Sequence, residues 1–230
     1  MHSTGIDTVI LDMDGVIFDT EGIWHAVRRD YAVRHGGHWT EEDQRAVMGD
    51  NSAQWAAYMQ THCGVKLAPE DIYAGVVKGL RDKYAQDLPL IAGSREAIEG
   101  LAARYRLGLA SSSPLELIEY ALELADLRAN FASLVSSDEV PRGKPAPDVY
   151  LKACSRLETV PEKAAAVEDS TSGLQAAAAA GLAVIAIPNL GFPPSAAALA
   201  LADVVLAQIV DLVPAIVESL SARAHPSSPL

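Results

Sequence analysis

The sequence predicts an α/β fold, a parallel sheet covered by helices on both faces, with an all-helical insertion behind its first strand. Three observations carry that expectation. From about Gly93 onward short apolar runs alternate with helical periodicity, the texture of strands joined by helical crossovers. Near the amino end, Val9-Ile10-Leu11 runs into Asp12-Met13-Asp14-Gly15, which reads as a buried strand whose carboxyl end opens into a turn. Between the two, residues 20–88 offer no convincing strand.

Taken in order, the insertion begins with Trp24, Val27, Tyr31 and Val33, spaced for the apolar face of a helix. Segments 40–48, 51–62 and 69–87 read as helices too. The last opens on Pro69-Glu70-Asp71, where proline and acids suit a first turn. The alternating region then gives a helix over 94–105 and a strand over 107–110. Next comes the serine run Ser111-Ser112-Ser113-Pro114, one of whose hydroxyls is expected to cap the following helix, which reaches about Asp126. A strand at 133–136 leads through Pro141-Arg142-Gly143-Lys144-Pro145 to a helix at 147–157 and a strand at 164–167. Glu168-Asp169-Ser170 follows, then an alanine-rich helix stopped by Gly181, a strand at 183–187, and a final strand and helix within 203–220. The expected organisation is a core of 1–19 and 89–222, a helical lid of 20–88, and a disordered tail of 223–230.

At 230 residues, half of them hydrophobic, the chain can bury a core domain with an insertion. A net charge of -12 argues against general binding to nucleic acid or anionic membranes; any phosphate site has to be local. Cys63 and Cys154 stand alone without metal-ligand spacing, as reduced thiols of a cytosolic protein do. No basic segment and apolar core precede the first strand, and no apolar run reaches about 18 residues, so a cytoplasmic protein without a membrane segment is expected.

The first strand poses an electrostatic problem. Residues two apart in a strand point to one side, so Asp12 and Asp14 would repel by about 4 kcal/mol at roughly 4 Å and an effective dielectric near 20. A proton, a divalent cation or a lysine could offset this. Ser111, Lys144 and Glu168/Asp169 also follow strands, and in a parallel sheet all those ends gather on one edge. Carboxylates with a hydroxyl and a lysine make an all-oxygen Mg2+ site beside an anion site. A carboxylate so neutralised can attack phosphorus and give an aspartyl-phosphate. Asp12 is placed to attack, and Asp14 to give a proton to the leaving oxygen and then activate water. Ser111 and Lys144 would hold the phosphoryl oxygens.

Asp12-Met13-Asp14-Gly15-Val16, Ser111 behind an apolar strand, Gly143-Lys144-Pro145-Ala146-Pro147-Asp148 and Glu168-Asp169-Ser170 resemble the four ordered motifs of the haloacid dehalogenase-like superfamily. They are most similar to its branch of β-phosphoglucomutases and sugar-phosphate phosphatases. The resemblance implies a Rossmann-like core with an α-helical cap inserted after the first strand, a nucleophile at Asp12, an acid/base at Asp14, and phosphate binders at Ser111 and Lys144. It also implies Mg2+ held by Asp12, the Asp14 carbonyl, Glu168 and Asp169. Thr20 is expected to support Asp14; Trp24, Gly49, Asn51, Trp55 and Ser112 are the candidates for substrate contact. His25, His35, His38 and His62 are read as solvent-facing and given no role.

Within that branch, the mutases carry a histidine where this chain has Trp24, an arginine where it has Ser52 and a lysine where it has Leu80. A mutase needs a second phosphate site, and these replacements remove its expected cations. The expectation is therefore a Mg2+-dependent phosphatase of small phosphorylated metabolites, sugar phosphates above all, acting as a monomer. The alternative is a hexose-phosphate mutase. A receiver-like signalling module would be about half this length and would lack both the first-strand nucleophile and the lid.

Overall fold

The computed structural model describes residues 5–220; the segment 223–230 expected to be a disordered tail lies outside them. Six strands form one parallel sheet: β1 (Thr8–Leu11), β2 (Arg106–Ser111), β3 (Ser133–Ser136), β4 (Ala164–Glu168), β5 (Ala183–Ala186) and β6 (Val204–Val205). Their spatial order is β3-β2-β1-β4-β5-β6. β1 is thus flanked by β2 and β4, with Leu11 opposite Leu109 on one side and Val167 on the other. Every residue of β1, β3, β4 and β5 is buried, because helices cover both faces and leave no side for polar alternation.

Four helices, α1 (Glu21–Arg34), α2 (Glu41–Ala46), α3 (Ser52–Thr61) and α4 (Pro69–Gln86), make up the insertion that follows β1. They are followed by α5 (Ser94–Ala102), α6 (Leu115–Leu124), α7 (Asp148–Arg156), α8 (Thr171–Ala180), α9 (Ala196–Leu199) and α10 (Pro214–Glu218). On one face of the sheet Ile10, Ala110, Ala164 and Ala166 pack with Val149, Ala153, Leu174 and Ala177 of α7 and α8. The alanines of β4 and of α8 meet there, and small side chains on both sides let helix and sheet approach closely. The opposite face joins Val9, Leu11, Leu109 and Val167 to Ile98, Leu101, Leu117 and Ile118, and the same apolar cluster runs on into Trp24, Trp55 and Leu80 of the insertion. Insertion and core are also pinned by polar bonds. Ser52 donates from N and Oγ to the two Asp138 carboxylate oxygens, at 2.7 Å each, and the Tyr73 hydroxyl donates to Glu116 at 2.9 Å.

The structure departs from the sequence expectation in a few places. Ser111 and Glu168 are the last residues of their strands and not loop residues. Val33 is 63% exposed: nine residues beyond Trp24 lies about half a turn away from it at roughly 100° per residue. The buried stripe of α1 is instead Trp24, Val27, Arg28 and Ala32. No serine side chain caps α6, whose N-cap position is Pro114. The short helix α9 was not expected. Among the described residues no helix is long and apolar enough to cross a membrane, and Cys63 and Cys154 are buried free thiols.

Candidate active site

The carboxyl edge of the sheet collects the charged groups. Lys144 reaches from the loop after β3 and is buried. Its Nζ donates to Asp12 Oδ1 and Glu168 Oε1, both at 2.6 Å, and to the Ala110 carbonyl at 3.1 Å. Burial alone would lower the Lys144 pKa, but the two carboxylates outweigh it and hold the ammonium charged. Tyr150 of α7 donates to the same Glu168 Oε1 at 2.6 Å, and the Ser170 hydroxyl to Oε2 at 3.3 Å. Asp12 Oδ2 accepts no hydrogen bond among the described residues, so one oxygen of that carboxylate is fixed and the other is left for chemistry.

Asp14 is held quite differently. β1 ends at Leu11, so strand alternation does not reach Asp14 and, contrary to expectation, is not what brings the two carboxylates together. Its Oδ2 accepts from Ser113 Oγ at 2.7 Å and lies 3.4 Å from Ser111 Oγ. Its Oδ1 accepts from the Thr20 hydroxyl and from Trp24 Nε1 at 3.3 Å. The two acids line one cavity, but one sits on an ammonium and the other among hydroxyl and indole donors.

Asp12, Glu168 and Asp169 bring carboxylate oxygens within 4.8 Å of one another and are all buried. Burial, with Glu168 and Asp14 adding to it against Lys144, pushes Asp12 up to about 8. Burial and the neighbouring acids raise Asp169 well above the ordinary carboxylate range. Three hard carboxylate oxygens crowded in this way suit a divalent cation, whose charge would favour the ionised forms of Asp12 and Asp169. The Asp14 side chain is not part of this trio. Two glycines make room for it: a Cβ on Gly15, whose φ is +82°, would lie 1.9 Å from Asp169 Oδ2, and one on Gly173 about as close to Glu168.

A model of the haloacid dehalogenase-like hydrolases matches residues 9–187 of the chain. The chain belongs to that family. A phosphorylated carbohydrates phosphatase from Thermotoga maritima is 34% identical over 178 residues, 77% of this chain and 82% of its own length. Hexitol phosphatase B from Escherichia coli is 30% identical over 192 residues, 78% and 82% of the two chains. The crystal structure of CbbY from Rhodobacter sphaeroides, in complex with phosphate, superposes with a TM-score of 0.83 at 25% identity, covering 94% of this chain and all of that one.

In this haloacid dehalogenase-like enzyme, the structure brings Asp12, Asp14, Ser111, Ser112, Lys144, Asp169, Trp24, Gly49 and Trp55 to one cavity. Thr20 stands behind Asp14, and Glu168 behind Asp12. The Ser112 hydroxyl donates to the Gly49 carbonyl at 3.0 Å, across the seam between core and cap. Asn51 is the exception among the expected substrate contacts. Its side chain closes a capping box at the start of α3 with Gln54, and it is not among the residues that line the cavity.

Sequence reasoning missed several residues. Ser113 lies closer to Asp14 than Ser111 does, and Tyr150 supports Glu168. Glu21, Arg28 and Gln44 line the cap side of the cavity. Arg28 could have been found, because it sits one helical turn beyond Trp24 and shares its face. His25 was read as solvent-facing, yet its Nδ1 is buried without a partner. The described residues hold one other grouping of potential metal ligands, His38, Asp43 and Cys63, but both Asp43 oxygens already accept hydrogen bonds from Thr40 and Tyr58.

Proposed function

We propose that this enzyme is a Mg2+-dependent phosphatase that hydrolyses small phosphorylated metabolites, sugar phosphates above all, through a phospho-Asp12 intermediate. One observation carries the reading: Asp12 and Asp14 share a cavity while Lys144 holds the first and hydroxyl and indole donors hold the second. Asp12 Oδ2 attacks phosphorus as the ester P–O bond breaks, and the departing alkoxide takes a proton from Asp14. Water then attacks the phosphorus of phospho-Asp12 and passes a proton to Asp14. Inorganic phosphate leaves, and the Asp12 carboxylate is restored. When bound, Mg2+ supplies positive charge to the attacking carboxylate and the phosphoryl oxygens; Asp12, the Asp14 carbonyl, Glu168 and Asp169 are the groups to hold it. Ser111 and Lys144 orient the phosphoryl group.

The names of the Thermotoga and Escherichia relatives support phosphorylated carbohydrates as the substrate class. Transfer to water is favoured over transfer back to a sugar because Trp24, Ser52 and Leu80 stand where the cationic residues of a mutase's second phosphate site are expected. Ser52 is committed to Asp138, and Leu80 is wholly buried. The acidic composition supports a freely diffusing substrate over nucleic acid or a membrane. The buried free thiols support a reducing compartment, and we assign the enzyme to the cytoplasm as a monomer.

Replacing Asp12 by Asn should lower phosphate release by at least about a thousandfold with the circular dichroism spectrum unchanged. Retained turnover removes Asp12 as nucleophile. Incubation with glucose 1-phosphate separates the alternatives: isomerisation without net phosphate release would make the enzyme a mutase.

A further inference from the structure

The cap side of the cavity contains a polar cluster that the chemistry at Asp12 and Asp14 does not use. Arg28 is only 5% exposed. Its guanidinium carbon lies 4.4 Å from the ring centroid of Trp24, 5.0 Å from that of Trp55 and 5.6 Å from that of Trp39. Packing among three indoles fixes the guanidinium, so its N–H groups have few directions to choose from. One nitrogen donates to Gln44 Oε1 at 3.2 Å, and Gln44 Nε2 donates in turn to Glu21 Oε2 at 3.2 Å. Arg28 Nε is buried and has no partner, although a buried donor left unsatisfied is costly.

We propose that Arg28, Gln44 and Glu21 form a subsite that receives a neutral, hydroxyl-bearing tail of the substrate and disfavours a tail carrying a second phosphate or a carboxylate. The proposal rests on the phosphatase reading above and deepens it. Location supports it: the three residues line the same cavity as Asp12 and Asp14, and Arg28 is one turn along α1 from Trp24, whose indole touches Asp14. Polarity supports it as well. A hydroxyl both donates and accepts, and the cluster offers a guanidinium N–H beside a carboxylate. An anionic tail would meet one cation that already feels the acidic groups of Glu21, Asp14 and Asp50, all lining the same cavity, so its attraction to Arg28 would be weakened.

The test compares three six-carbon phosphomonoesters, glucitol 6-phosphate, 6-phosphogluconate and fructose 1,6-bisphosphate, with acetyl phosphate, which has no hydroxyl tail. The wild-type enzyme, assayed with Mg2+, should prefer glucitol 6-phosphate over either ester with an anionic tail by at least about tenfold in kcat/KM. R28Q should reduce the ratio of glucitol 6-phosphate to acetyl phosphate by about 10- to 100-fold, chiefly through KM, and R28K should lie between. E21Q keeps the size and hydrogen bonding of Glu21 while removing its charge, and should narrow the gap between glucitol 6-phosphate and 6-phosphogluconate by at least fivefold. E21Q also serves where R28Q does not fold. Equal losses on every ester in both variants, or a wild-type preference for the anionic tails, would overturn the subsite while leaving the phosphatase intact. Failure of the wild-type enzyme to release phosphate from any ester would overturn both.

Discussion

At Gly173 one added methyl group would disturb the chemistry directly. A Cβ there would come within 1.9–2.1 Å of the Glu168 carboxylate atoms, and Glu168 is held by Lys144 and Tyr150. G173A should therefore displace Glu168 and cost about 1–3 kcal/mol, as overpacking does. The expected result is a thermal midpoint several degrees lower and phosphate release reduced more than tenfold. Wild-type melting and turnover would mean that Glu168 has slack the packing does not suggest. At this scale the sequence announced the carboxylates and Lys144, because charged residues that close apolar runs are conspicuous. Tyr150 was hidden inside an ordinary helical stripe. The choice among Ser111, Ser112 and Ser113 depended on where the turn after β2 points, and nothing in three identical residues encodes that.

Among the elements, α2 shows how a short helix is held. Thr40 and Asp43 form a reciprocal capping box, and Tyr58 donates to the second Asp43 oxygen at 3.0 Å. Burial alone would raise the Asp43 pKa, but the bonds from Thr40 and Tyr58 outweigh it and hold the carboxyl below its ordinary range. A folded-state pKa below the unfolded one means that the ionised form stabilises the fold. The contribution is complete above the unfolded value, near 4, and is lost as pH falls through the folded value. D43N should cost about 1 kcal/mol at pH 7, and that cost should shrink as the pH is taken down to about 3. Urea unfolding at the two pH values measures it, and a cost independent of pH would contradict the sign. Helix positions were legible from apolar spacing, and Trp24 and Val27 marked part of the buried face of α1, whereas Val33 did not belong to it. Arg28 occupies a place on that face where a charged residue argues for solvent, and only the three surrounding indoles explain its burial.

For the molecule as a whole, the three buried acids make stability depend on what neutralises them. A cation that binds only the native state stabilises it by about 2.7 kcal/mol at 100 times its Kd. Mg2+ should accordingly raise the thermal midpoint, EDTA should reverse the rise, and D169N should remove most of it. An equal rise in D169N would exclude Asp169 as a ligand. The parallel sheet and the insertion after its first strand were readable because alternating patterns and uninterrupted helical patterns differ over long stretches. The seam between cap and core was not readable, since Ser52 with Asp138 and Ser112 with Gly49 are pairs distant in sequence and without a local signature.

The strand order also bears on how the protein is made. β1 is synthesised before both of its neighbours in the sheet, which begin only at Arg106 and Ala164. At about 5–20 residues per second, roughly 8–30 s separate the appearance of Leu11 on the ribosome from that of β4. Through that interval the strand bearing the nucleophile has apolar side chains and unpaired backbone groups on offer, the kind of segment that associates wrongly. Its pairings are non-local, and such contacts form late. The central strand that organises the active edge is thus the one that waits longest for its second partner.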